Sequence, residues 1–168
     1  MLLTDKQYRN VWERVYDTLH FQPSIDTRII PFVITVPYKV YDICGSEETA
    51  PDDIEQRITQ IFINCTSPGE QLYALDWQHS AFLFDPRISE TQKSVYLGEN
   101  PYLPGHGLYA HFPNYYPDGD YYFFIDERFR FGYLSHPWRK EIWIFGDCLI
   151  AEFDKVYEYF GWTVKEGL

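Results

Sequence analysis

Asp76, His79, His111, Asp118, Asp120 and His136 are the side chains in this sequence that could hold a metal ion or move a proton. Asp76-Trp77-Gln78-His79 sets a carboxylate and an imidazole three residues apart. On a strand that spacing sends them to opposite faces, so they share a ligand shell only if the chain bulges or turns at Trp77. The ordinary alternative has Asp76 accepting backbone or indole bonds and His79 bonded at a sheet edge. Asp118 and Asp120, in Pro117-Asp118-Gly119-Asp120, could chelate a hard cation or work as an acid–base pair. Equally, Asp118 can cap that tight turn while Asp120 anchors the loop behind it. His136, ahead of Pro137-Trp138, either stacks on the indole or serves as a general base in a pocket. Convergence of His79, Asp118, Asp120 and His136 on one pocket would make a small hydrolase of a phosphate or nucleotide, with or without a divalent ion. Dispersed, they hold the scaffold. No Ser/His/Asp order, nucleophile elbow or phosphate loop is present. The three cysteines, at 44, 65 and 148, have no zinc-site spacing and read as free thiols of a reducing compartment. No cofactor is expected.

Charge narrows the partners. The chain carries 25 acids against 14 Lys and Arg, a net −11. That disfavours nucleic acid and anionic membranes, both polyanions. Asp42, Glu47, Glu48, Asp52, Asp53 and Glu55 fall in one stretch with no Lys or Arg among them. Asp147, Glu152, Asp154 and Glu158 form a second stretch, relieved by Lys155 alone. Such stretches are either solvated faces or surfaces complementary to a basic protein, where paired potentials select the partner and speed encounter. No apolar leader and no run long enough for a membrane span is present, so the reading is a soluble, cytoplasmic protein.

The elements that must position these residues follow from periodicity. With 45% hydrophobic and 20% aromatic residues, the chain of 168 can bury a substantial core in one domain. Thr4 to Gln7 has the capping-box pattern, and Tyr8, Val11, Trp12, Val15 and Leu19 then give a helix over 5–19. Residues 29–36 and 38–43 read as two β-rich runs divided by Pro37. Ile54, Ile58, Ile61, Phe62 and Cys65 mark a second helix. Residues 72–77 and 79–84 are strand-like, as two strands or one long bent one, and 85–117 is irregular, rich in Pro and Gly. The runs 121–125, 130–134 and 141–145, joined by tight turns, form an antiparallel meander at the centre of a sheet. A last helix carries Leu149, Phe153, Val156, Tyr157 and Phe160, with Gly161 at its C′ position and Trp162 folding back as an apolar lid. The expectation is a single α+β domain: a mostly antiparallel twisted sheet of about five to seven strands with three helices packed on it.

Ala74-Leu75-Asp76-Trp77-Gln78-His79-Ser80, Tyr116-Pro117-Asp118-Gly119-Asp120-Tyr121-Tyr122, His136-Pro137-Trp138 and Ile144-Phe145-Gly146 resemble the bacterial family catalogued as domain of unknown function 2716. The similarity runs nearly the full length. The family pattern has Gly before His136-Pro137-Trp138, where this chain has Ser135. The resemblance transfers no catalytic residue. It implies a neighbourhood: members look similar to cytoplasmic immunity proteins encoded beside LXG or other polymorphic toxins, many of which are basic nucleases. On that reading the chain is an antitoxin without catalysis of its own. Asp42, Glu47, Glu48, Asp52, Asp53 and Glu55 would face the cognate toxin domain, with neighbouring aromatics as anchors.

Overall fold

The computed structural model describes residues 1–46 and 50–167. In chain order the elements are α1 (Asp5–Leu19), β1 (Tyr38–Asp42), α2 (Ile54–Asn64), β2 (Leu72–Asp76), β3 (Ser80–Phe84), a 3₁₀ turn (Ser89–Thr91), β4 (Val95–Glu99) and β5 (Gly107–Ala110). They continue with β6 (Tyr122–Asp126), β7 (Gly132–His136), β8 (Glu141–Phe145), α3 (Asp147–Phe153) and β9 (Thr163–Gly167). Seven strands make one sheet in the order β3-β2-β6-β7-β8-β1-β9, and β4 pairs with β5 in a separate hairpin. Every neighbouring pair is antiparallel. The fold is α+β, with the β6–β7–β8 meander in the middle of the sheet.

Both faces of the sheet are covered. Successive residues of β6 and β8 alternate between two cores: Phe123, Trp143 and Phe145 point to one, Phe124, Ile142 and Ile144 to the other. The first core takes Val11, Trp12, Val15 and Leu19 of α1. The second takes Ile58, Ile61 and Phe62 of α2 with Leu149 and Phe153 of α3. This double burial explains why the central strands read as unbroken apolar runs rather than as alternation. The Thr4 hydroxyl accepts from the Gln7 amide, and the Gln7 side chain accepts from the Thr4 N–H at 2.9 Å, closing the expected capping box.

Four parts depart from the expected pattern, the first being the β4–β5 hairpin inside 85–117, a stretch read as irregular. Residues 29–36 form no strand; Pro31 and Pro37 remove backbone donors, and β1 already has β8 and β9 as neighbours. The segment instead runs along the end of α1, with the Val33 N–H bonded to the Leu19 carbonyl at 2.9 Å and Phe32 buried against Phe21, Phe123 and Trp143. The last helix stops at Phe153 rather than Phe160. Turns carry the chain to Gly161, still burying Phe160, and Trp162 returns as a lid, stacked on Phe153 at 5.7 Å with its N–H on the Tyr116 hydroxyl at 2.8 Å. Beyond it β9 pairs with β1, an edge strand that the polar sequence from Thr163 onward does not announce. Residues 72–84 are a hairpin of two strands, not one bent strand. Before α3, Gly146 has φ 94°, and a Cβ there would meet the Arg130 carbonyl at 2.6 Å, so only glycine lets the chain pass.

The antiparallel registers place the turns after β2 and β7 and the entry to β6 at the same end of the sheet. Asp76 is opposite Ser80 and Tyr122; His136 is opposite Glu141, which is opposite Asp42. Three of the four motifs therefore share one rim. The fully buried Ser135 hydroxyl bonds both the N–H (3.0 Å) and the carbonyl (2.9 Å) of Tyr122 and so extends the β6–β7 ladder to that rim.

Candidate functional site

The β2–β3 connection decides what Asp76 and His79 can do together. The strand ends at Asp76, Gln78 takes a φ of 67°, and the His79 N–H closes the turn on the Asp76 carbonyl at 3.1 Å. The turn at Trp77 that the spacing required is present. It swings the imidazole back over the carboxylate, and His79 Nδ1 stands 3.0 Å from Asp76 Oδ1. Pairing of β2 with β6 then delivers Asp120, just ahead of Tyr122, so that its Oδ2 lies 3.2 Å from the same Nδ1. The other Asp120 oxygen accepts the Tyr121 N–H at 2.7 Å, which fixes the carboxylate. One oxygen of Asp118 accepts the Tyr122 hydroxyl, and the other accepts the Asn114 amide at 2.9 Å.

These residues line a cleft of about 730 Å³ beside the β4–β5 hairpin, whose Leu97, Leu108 and Tyr109 form one wall. Among the described residues its charged and titratable lining consists of Asp76, Asp118 and Asp120 with His79 and His111, plus Tyr109 and Tyr122, with no Lys or Arg. Burial pushes the Asp76 carboxyl up to about 6, against the pull of its His79 contact. Asp120 is raised for the same first reason, burial. His79 is raised chiefly by its hydrogen bond to Asp76. The Tyr122 hydroxyl is raised by burial and by the Asp118 carboxylate that accepts its proton. The arrangement can hold a cation, or pass a proton between an imidazole and two carboxylates.

His136 lies elsewhere. It is buried on the α1 side of the sheet, where its Nδ1 accepts the Arg139 N–H at 3.2 Å and its Nε2 faces the Tyr121 hydroxyl at 3.3 Å. That hydroxyl accepts the Ser24 N–H at 2.9 Å and donates to the Ser24 carbonyl at 2.8 Å. With Nδ1 accepting, the proton belongs on Nε2, and burial lowers the imidazole to about 4. His136 is a neutral corner residue that ties the loop at Ser24 to the rim; its ring meets Trp138 edge-on at 6.2 Å. The structure thus joins His79, Asp118 and Asp120, adds Asp76, and leaves His136 out.

Of the residues expected to meet a partner, Asp52 and Glu55 are exposed, Asp53 is half-buried and Asp42 is half-buried at the end of β1. Asp53 accepts from Arg57 at 2.6 Å and from the Tyr159 hydroxyl at 3.1 Å, while one Asp42 oxygen accepts the Cys44 N–H at 2.9 Å. Glu47 and Glu48 lie outside the described residues. Sequence reasoning did not single out Asn114 and Tyr122, which fix Asp118. The sole signal for Tyr122 was its place in the aspartate-rich motif, and Asn114 had none.

The chain belongs to the family described as "Protein of unknown function (DUF2716)", whose model matches residues 2–150 and so includes all four motifs. It is 28% identical over 161 residues to the "Uncharacterized protein YxiI" of Bacillus subtilis (strain 168), covering 90% of each chain. No solved structure matches. Among the described residues, no helix is long and apolar enough to cross a membrane.

Proposed function

We propose that this chain is a cytoplasmic immunity protein that binds a basic toxin domain, such as a nuclease, through an acidic surface and acts without catalysis of its own. The observation that carries the reading is the meeting of its two acidic stretches. α2 and α3 lie on the same side of the sheet, where Asn64 donates to Glu152 at 2.9 Å and Tyr159 to Asp53 at 3.1 Å. Asp52 and Glu55 thereby share a side with the exposed Asp147 and Glu158, while Asp154 on that side is paired with Lys39 at 2.5 Å. Tyr159, 52% exposed beside Asp53, is a ready aromatic anchor for that surface. Charge sets encounter rate and partner choice, and an aromatic set among the acids supplies the buried contact.

The test is co-expression with the toxin domain encoded beside it, scored by rescue and co-purification. Reversing Asp52, Asp53 and Glu55 to Lys should slow association and abolish protection, most visibly at low salt. Full protection by that triple variant, with protection lost in a folded Asp120→Asn variant, would move the function to the cleft.

A second reading, a small hydrolase of a phosphate or nucleotide, is favoured by the convergence of Asp76, His79, Asp118 and Asp120. Three carboxylates with no Lys or Arg repel an anionic substrate, so this chemistry requires a bound cation to receive the phosphate. Hydrolysis of nucleotides or phosphate esters that depends on added Mn²⁺ and is lost in Asp120→Asn would establish it.

A further inference from the structure

We propose that Asp76, His79 and Asp120 form a divalent transition-metal site that opens onto the cleft. The proposal holds whether or not a toxin binds the acidic surface. The three donor atoms lie within 4.8 Å of one another. Donors about 2.1 Å from a shared ion, at angles of about 90–110°, stand about 3.0–3.4 Å apart. The two distances from His79 Nδ1, 3.0 and 3.2 Å, fall in that range. Hydrogen bonding satisfies the same geometry less well, because Nδ1 carries at most one proton for two facing carboxylate oxygens.

An independent observation comes from Asp76 itself. Its side chain is only 10% exposed, it borders the cleft, and its one hydrogen-bond partner among the described residues is His79. A buried carboxylate is ordinarily met by Arg, Lys or several N–H groups. Asp126 and Glu141 in this chain are met in that way: Asp126 by Arg130 and two backbone N–H groups, Glu141 by Arg139, Lys165 and Trp143. Among the described residues Asp76 meets no Arg or Lys, only the titratable imidazole of His79. A cation seated between the three donors supplies the counter-charge.

The donor set indicates the ion. One imidazole nitrogen with two carboxylates suits Zn²⁺, Co²⁺ or Mn²⁺, whereas Ca²⁺ and Mg²⁺ favour all-oxygen shells. Three protein ligands leave coordination positions for water or a ligand on the cleft side, the pattern of an open site. The Asp120–Tyr121 N–H bond would hold one ligand in place from behind.

The full chain, stripped with chelator and dialysed, is titrated with Mn²⁺ and followed by loss of the free-ion electron paramagnetic resonance signal. Mn²⁺ is chosen because the three free thiols, Cys44, Cys65 and Cys148, bind it poorly. The expected result is one ion per chain, with affinity falling at least about 10-fold in each of His79→Ala, Asp76→Asn and Asp120→Asn. Co²⁺ should give a visible spectrum that His79→Ala alters. Near-ultraviolet circular dichroism establishes that each variant is folded. The proposal is overturned if the wild type takes up neither Mn²⁺ nor Co²⁺ at submillimolar concentration. It is equally overturned if folded variants bind as the wild type does.

Discussion

Asp76 and Glu141 occupy the same rim of one sheet, both almost wholly buried, and they are built in opposite ways. Glu141 receives the Arg139 guanidinium at 2.7 and 3.1 Å, Lys165 at 2.8 Å and the Trp143 indole N–H at 3.0 Å. Burial alone would raise its carboxyl, but these donors outweigh burial and hold it below the usual carboxylate range. Asp76 receives one imidazole contact, and burial wins. The Glu141 cluster spans segments far apart in sequence, since Arg139 also donates to the Thr27 carbonyl and Lys165 belongs to β9. It is a fastening that needs nothing further. The Asp76 cluster opens to a cleft and has no Arg or Lys among the described residues, so its burial costs stability that an ion can return. Burial of a carboxylate does not distinguish scaffold from site; the counter-charge does.

The largest expected effect breaks the fastening. Arg139→Ala leaves Glu141 buried with Lys165 and Trp143 only, and should lower the unfolding free energy by about 3–5 kcal/mol in urea titrations. A loss under about 1 kcal/mol would mean that the two carboxylates differ less than their contacts imply. His136, beside Arg139, gives the next effect. Its folded value of about 4 lies below the roughly 6.5 of an unfolded histidine, so protonation favours the unfolded chain. Its contribution is fully present above about pH 6.5 and is lost as pH falls through the window down to about 4, for a total of about 3 kcal/mol. Comparing the pH slope of wild type with that of His136→Asn, which does not titrate, isolates this part. Equal slopes would mean that His136 is not held neutral.

What could be read from the chain beforehand was whatever is local. The Thr4–Gln7 box, the α1 stripe and the turns of the β6–β7–β8 meander are written in contiguous residues, and the fold class follows from them. β9 was hidden because Val164 is its one apolar residue; pairing with β1 makes the strand, not propensity. Residues 29–36 misled in the opposite way, since β-branched side chains at Ile29, Ile30, Val33 and Val36 remain exposed and β1, the strand that follows them, is already paired on both sides. For the site, the condition for joining Asp76 to His79 was legible, a turn at Trp77, but not whether Gln78 would take a positive φ. Asp120 joins them only through the register of β2 on β6, a long-range pairing that spacing cannot reveal. The β4–β5 wall of the cleft was concealed for the same reason, inside a stretch dominated by Pro and Gly.

The smallest effect is the sharpest test of the comparison, because its sign is the reverse of the first. Asp76→Asn keeps the shape of the side chain and removes the charge that burial opposes. In metal-free buffer at pH 7–8 it should raise stability by about 1–2 kcal/mol, whereas loss of a partner from the Glu141 cluster lowers it. The sign follows from the titration: Asp76 is about 6 in the folded chain and near 3.8 unfolded, so its ionisation favours unfolding above that window. Below about pH 4 the carboxyl is protonated in both states, and the two proteins should converge. Saturating Mn²⁺ should then invert the order, since an ion at 100 times its Kd adds about 2.7 kcal/mol to the form that binds it, and the variant gains less. An Asp76→Asn protein that is less stable than wild type in metal-free buffer at every pH would show that His79 already satisfies the carboxylate. The rim would then hold two fastenings rather than a fastening and a site.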